Sequence, residues 1–176
     1  MSSQKFRDLV HYICWRCEDP AQLGATKLNK ITWVIDTYTY RRDGRSLTGE
    51  TYIKQQFGPV ARSMLPTLAK LGAEGKLLQR APLTEFQSRE FVATTAPDMS
   101  LFSKQDLRLI DAVIDQVCRN FTATSISTYS HDEIWEAAEI GEEIPMYAVL
   151  AANPGDITQD DIAWGEEVVK QLSGNR

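Results

Sequence analysis

Apolar residues recur at helical spacing in four separate stretches, and this periodicity limits the fold more than any other feature of the chain. Phe6, Leu9, Val10, Ile13, Cys14 and Cys17 fall at i, i+3, i+4, i+7, i+8 and i+11, which is one stripe of a helix. Asp19-Pro20 is expected to end it, because proline disfavours a helical residue before it. Thr26 predicts the cap of a second helix running to about Arg42 and stopped by Asp43-Gly44. Its inner face would carry Leu28, Ile31, Val34 or Ile35, and Tyr38, with Trp33 and Tyr40 widening the stripe. Gly58-Pro59 predicts the start of a third helix, with proline at a position whose N–H is unpaired anyway. Val60, Met64, Leu68 and Leu71 form its stripe, Gly75 its stop, and Pro66 a kink or break. Ser103 and Asp106 have capping-box spacing ahead of Leu107, Ile110, Ile114, Val117 and Phe121.

Between these helices the pattern predicts strands only within 51–57 and 77–95, the latter as a hairpin with a long tip around Pro82. Gly44 to Gly49 reads as a turn-rich loop. Thr124–Tyr129 reads as a short helix or turn, and Ser130-His131-Asp132-Glu133 as a second capping box. An apolar turn follows from Ile144-Pro145-Met146 to Leu150, then a turn at Asn153-Pro154-Gly155. Thr158 predicts the cap of a last, acidic helix over 156–173, with Ile162, Gly165, Val169 and Leu172 inward. The expected fold class is mainly α, with α+β character: a multi-helix bundle carrying a small antiparallel β-hairpin element. At 176 residues with 43% hydrophobic composition, a single domain over 1–176 is the expectation. The longest apolar run, Met146 to Ala152, is far shorter than the roughly 20 residues of a membrane span. The N-terminus has no apolar signal region, so a cytoplasmic location is expected.

The available chemistry is sparse. Three cysteines, Cys14, Cys17 and Cys118, are an odd number and argue against a disulfide framework. His11 and Cys17 would lie about 240° apart around a helix of 3.6 residues per turn, so His11, Cys14 and Cys17 do not form a metal set; the two cysteines read as small core residues. Phosphate-loop, nucleophile-elbow, zinc-helix and dinucleotide motifs are absent from the sequence. His131-Asp132-Glu133 is the cluster most like a catalytic site, since a helix N-terminus favours a neutral histidine. First-turn acids explain the same residues without catalysis, and that reading is preferred. Arg41, Arg42, Arg45, Lys54 and Arg62, interleaved with Tyr38, Tyr40 and Tyr52, resemble a nucleic-acid contact set. A sequence pI of about 5.1 speaks against a dedicated binder of that kind. Charge is also segregated. Residues 1–130 carry 17 basic and 13 acidic side chains, whereas 131–176 carry 2 and 11. An acidic end of this kind is either a solvated cap or a surface for a basic partner.

An ordered set of short motifs adds a family resemblance. The set begins with Lys27-Leu28-Asn29-Lys30-Ile31 and its helix's tyrosines, Gly44-Arg45-Ser46-Leu47-Thr48-Gly49-Glu50-Thr51-Tyr52, and Phe57-Gly58-Pro59-Val60. It ends with Ser130-His131-Asp132-Glu133-Ile134-Trp135 and Gly141-Glu142-Glu143-Ile144-Pro145. In this order, over about 5–150, the chain resembles the Panacea domain, the SocA-like antitoxin family. Two departures stand out: Ala61 where members often have a second proline after Gly-Pro-Val, and Thr32-Trp33-Val34-Ile35-Asp36 where they tend to have an apolar, aromatic run. The resemblance implies a bacterial or phage cytoplasmic antitoxin that neutralises a toxin by direct contact, with no reaction, cofactor or metal. It implies structural jobs for Lys27, Leu28, Lys30, Gly44, Gly49, Glu50, Gly58, Pro59, Val60, His131, Trp135 and Ile144. The expected partner-contact residues are Arg45, Tyr52, Lys54 and Arg62, together with Asp160, Asp161, Glu166 and Glu167. Self-association is left open, no membrane partner is expected, and nucleic acid is the runner-up partner through the Arg41–Arg62 region.

Overall fold

Ser3 starts the first helix: its Oγ accepts the Phe6 amide at 3.0 Å and donates to the Thr48 carbonyl at 2.9 Å. The computed structural model describes residues 3–17, 19–82, 89–129 and 133–151. Helix α1 (Gln4–Arg16) buries the expected stripe, and Cys17 closes it. Asp19-Pro20 does more than follow that end. Asp19 caps α2 (Pro20–Asp43) through the Ala21 amide, and Pro20 occupies its first turn. Thr26 is therefore not the cap. The chain breaks for one residue at Gly24, whose φ of 56° and ψ of 170° only glycine adopts readily, and α2 resumes beyond it. Gly44, at φ 70°, ends α2 where expected.

Strands β1 (Tyr52–Gln55) and β2 (Gly58–Ala61) form an antiparallel pair. This corrects the helix start expected at Gly58-Pro59. The residues suit an edge strand instead. In the observed register Pro59 opposes Lys54, and the Lys54 amide bonds the Glu142 carbonyl on β1's other side. The missing proline N–H thus faces the sheet's outer edge, where no ladder bond is lost. A third strand, β5 (Glu143–Ile144), pairs with β1 on that other side, giving the order β2-β1-β5. Both β2 and β5 fall outside the strand windows expected from sequence.

Helix α3 (Met64–Ala73) starts five residues beyond Pro59, the first helical position expected. Pro66 lies in its first turn, so it neither kinks nor breaks it, because that turn's N–H groups have no helical partner. Strands β3 (Leu77–Arg80) and β4 (Glu90–Ala93) make the expected hairpin, pairing Leu77 with Ala93 and Arg80 with Glu90. Helix α4 (Lys104–Asn120) opens with the full reciprocal capping box of Ser103 and Asp106. Short helices α5 (Ala123–Tyr129) and α6 (Glu133–Ala137) follow, then a 3-10 turn at Met146–Leu150. The fold is mainly helical with small antiparallel sheets. The second capping box, the turn at 153–155 and the acidic helix fall wholly or partly outside the described residues.

Helix α2 is the hub. It packs against α1, α4, α5, β2, β4 and the 3-10 turn. Between Leu23 and Thr39 it buries Leu28, Ile31, Trp33 and Ile35, but also Lys27, Asn29, Lys30, Thr32, Asp36 and Thr39. Tyr38, expected on the inner face, is 59% exposed.

Candidate partner-binding surface

The motif residues first build a scaffold. Asp36 on α2 is fully buried and accepts three hydrogen bonds: from the Thr48 amide at 2.9 Å, the Thr48 hydroxyl at 2.5 Å and the Tyr52 hydroxyl at 2.8 Å. One turn along, the Thr39 hydroxyl accepts the Leu47 amide at 2.9 Å. The loop from Gly44 to Gly49 is thereby fastened to α2. Burial pushes the Asp36 carboxyl above its usual range, against the pull of its Thr48 and Tyr52 hydrogen bonds. Burial and the nearby Asp36 charge push the Tyr52 phenol well up. Glu50 works similarly at the next junction. Its Oε1 accepts from the Ser63 amide and hydroxyl at 3.3 and 3.1 Å, just ahead of α3. Asn29 covers the outer edge of β2, its Oδ1 accepting the Ala61 amide at 3.2 Å. Both departures from the family pattern are thus hydrogen-bonding positions: Ala61 keeps an N–H that a proline would lack, and Asp36 closes a polar knot inside the core.

The residues expected at a contact surface divide sharply. Tyr52 is 1% exposed, set edge-on to Trp33 with ring centres 5.0 Å apart. It cannot stack on a base or meet a partner. Lys54 is also buried. Its Nζ lies 4.0 Å above the Trp135 ring and donates to the Ala138 and Glu136 carbonyls at 2.9 and 3.4 Å. It therefore closes the C-terminal end of α6, while Trp135 Nε1 donates to the Gln55 carbonyl at 3.2 Å. Arg62 is exposed and pairs with Glu143 at 3.2 Å. Arg41 donates to the Val149 carbonyl at 3.1 Å, and Arg42 pairs with Asp43 and, at 3.5 Å, Asp106. Arg45 is exposed beside a polar cleft of about 250 Å³ that also holds Lys5, Asp43 and Asp106. Lys54 is thus buried, and Arg41, Arg42 and Arg62 are each held by a partner within the chain. His131, Asp160, Asp161, Glu166 and Glu167 lie outside the described residues.

A different surface is present that the sequence reading did not assemble. Val34 and Tyr38 from α2, Val113 and Val117 from α4, Phe121 just beyond it, and Ile126 from α5 line an apolar cleft of about 310 Å³. Its signal in the sequence was indirect: Val34 and Tyr38 sat in the apolar stripe of α2, yet α2 is covered on so many sides that only part of this flank is left to solvent.

Residues 28–136 match the antitoxin SocA-like, Panacea domain family. The match covers more than half of the chain, and the protein belongs to that family. It takes in α2 from Leu28 onward, the fastened loop, β1, β2, α3, the hairpin, α4, α5 and Trp135. No curated protein and no solved structure matches the chain. Among the described residues, no helix is long and apolar enough to cross a membrane.

Proposed function

We propose that the protein is a cytoplasmic antitoxin that neutralises a cognate toxin by direct protein–protein contact, with no catalytic step and no cofactor. Membership of the SocA-like antitoxin family over residues 28–136 carries this reading. The division of surfaces supports it. Glu50, Tyr52 and Trp135 among the motif residues bond within the scaffold, while the α2/α4/α5 cleft offers an apolar floor with an exposed aromatic rim at Tyr38. Interfaces draw most of their affinity from such aromatic anchors beside apolar pockets. Arg45 and Arg62 remain surface residues within reach of a partner, and the acidic set Asp160, Asp161, Glu166 and Glu167 is proposed as a second contact, suited to a basic toxin.

The test is co-expression with the product of the neighbouring reading frame. That product should arrest growth alone, grow normally with this protein, and co-purify with it as a complex. Tyr38→Ala should weaken the complex at least tenfold while leaving the melting temperature of the free protein nearly unchanged. Rescue of growth without any complex would defeat direct contact, and full binding by Tyr38→Ala would move the contact away from this cleft.

A further inference from the structure

Cys17 and Cys118 are 101 residues apart in sequence, yet their Sγ atoms are 3.4 Å apart. Cys17 closes the C-terminus of α1, its amide donating to the Ile13 carbonyl, and Cys118 sits in the last turn of α4. Neither position is explained by the scaffold hydrogen bonds or by the apolar cleft. Both cysteines line a separate cleft of about 200 Å³, together with Arg16, Asp19, Asp115 and Arg119. Cys118 is half-buried and lines this cleft. The buried Lys27 side chain comes within 3.4 Å of the Cys118 carbonyl. We propose that Cys17 and Cys118 are a peroxide-oxidisable dithiol that closes to a reversible intramolecular disulfide between the end of α1 and the end of α4.

The surroundings assign the two sulfurs different parts. Either sulfur can donate in the bond they share, and the Cys17 thiol also lies 3.4 Å from the Asp19 carbonyl; with Cys17 as the donor, that bond and the Lys27 charge bring the Cys118 pKa down to about 7 although burial opposes it. The same hydrogen bond pushes Cys17 up, so it keeps its proton. Cys118 is therefore the attacking group. Its thiolate attacks one oxygen of hydrogen peroxide; an S–O bond forms, the O–O bond breaks, and hydroxide leaves and takes up a proton to become water. The product is Cys118 sulfenic acid. Cys17 sulfur then attacks the Cys118 sulfur; the S–S bond forms, the S–O bond breaks, and a second water leaves with the Cys17 proton. Overall the two thiols lose two electrons and two protons, and one peroxide becomes two waters. Closure brings the sulfurs from 3.4 Å to about 2.05 Å. Cys14 is an internal control. It is 3% exposed, and burial pushes its thiol up to about 12.

The experiment uses the full chain, reduced, freed of reductant and treated with one equivalent of hydrogen peroxide. Thiols are then counted in denaturant, and tryptic peptides are mapped without reduction. Trypsin places Cys14, Cys17 and Cys118 on three different peptides, covering 8–16, 17–27 and 109–119. The proposal expects loss of two of the three thiols, a monomer on a non-reducing gel, a crosslink between 17–27 and 109–119, and full recovery with dithiothreitol. Cys17→Ser should leave Cys118 sulfenic acid standing, trapped by dimedone at several times the wild-type yield. An unchanged thiol count, a disulfide between chains, or over-oxidation of Cys118 with Cys17 still free would each overturn it. The wild-type mapping decides the matter even where a variant does not fold.

Discussion

Helices α2 and α4 lie against each other and obey opposite rules. In α4 the apolar residues Ile110, Val113, Ile114 and Val117 turn inward, Lys104, Gln105, Arg108 and Gln116 face water, and the polar capping groups sit at the end. In α2 there is little solvent side between Leu23 and Asp36, and polar groups are carried into the core with it. A stripe describes a helix that has an outside. A helix surrounded by six other elements has to give polar side chains a structural task, and Asn29, Asp36 and Thr39 each take one by fixing a neighbouring loop or strand edge. Two aspartates condense the contrast: Asp36 in the middle of α2, pushed up by burial, and Asp106 in the first turn of α4, held low by its cap.

The contrast breaks most visibly at Asp36. Asp36→Ala strands the Thr48 amide, the Thr48 hydroxyl and the Tyr52 hydroxyl inside the core. A buried donor left unpaired costs about 1–3 kcal/mol, so a loss of about 3–5 kcal/mol is expected, a large share of a typical total of about 5–15. Asp36→Asn keeps one acceptor and offers an N–H to a hydroxyl, and should recover most of that loss. Urea unfolding of the three proteins measures this. Equal stability of Asp36→Ala and wild type would mean that the loop is held by its own turns and not by α2.

Much of this was readable in advance where one physical rule acted alone. The stripes of α1 and α4, the Ser103–Asp106 box, the stop at Gly44 and the hairpin at 77–95 each follow from local spacing. The errors arose where two rules fitted the same residues. Gly58-Pro59 satisfies both a helix start and an edge strand, and only pairing with β1 decides for the strand. Thr26 is a good cap, but Gly24 two residues earlier bends the chain first. The knot at Asp36 left a trace as a carboxylate inside an apolar run, though its partners Thr48 and Tyr52 are set by tertiary packing. The juxtaposition of Cys17 and Cys118, 101 residues apart, has no local signature at all. The Lys54–Trp135 contact is likewise long-range, so Lys54 read as a surface cation.

That lysine supplies the middle test, because it carries the buried-polar rule from α2 into β1. Lys54→Met keeps most of the apolar stem but removes the ammonium from the Ala138 carbonyl and the Trp135 face. A cation over an aromatic ring contributes about 0.5–2 kcal/mol and a hydrogen bond from a charged group about 1.5–3. Part of this is regained because the charge no longer has to be buried, so a net loss of about 1–2 kcal/mol is expected. A double-mutant cycle with Trp135→Leu should show coupling of about 0.5–1 kcal/mol. Zero coupling would make Lys54 an ordinary solvated cation lying near the ring.

The smallest effect is expected at Asp106, and it tests α4's half of the comparison through pH. Burial alone would raise the Asp106 carboxyl, but the Ser103 hydroxyl and amide, with the Lys5 and Arg42 charges, outweigh it and hold it below the usual 3.8. A carboxyl whose pKa is lower in the folded chain than in the unfolded one stabilises the fold at any pH above its ordinary range. That contribution fades as pH falls through the lowered value, where the folded form must also take up the proton. Asp106→Asn retains an acceptor for the Ser103 amide at the position where Asp106 Oδ2 now accepts it at 3.0 Å, and removes only the charge. Negative charge in a first turn contributes about 0.3–1 kcal/mol, so the variant should be less stable by about that much at pH 7. The gap should narrow as pH falls below the ordinary aspartate range and close once Asp106 is protonated in both states. Asp36→Asn should show the reverse trend. A folded pKa raised above the unfolded one favours the native state at low pH and loses that advantage as pH rises through it, so the aspartate gains on the asparagine as the solution is acidified. Parallel pH profiles for the two variants would erase the distinction between a carboxylate that caps a one-sided helix and one that is locked inside a helix with no outer face.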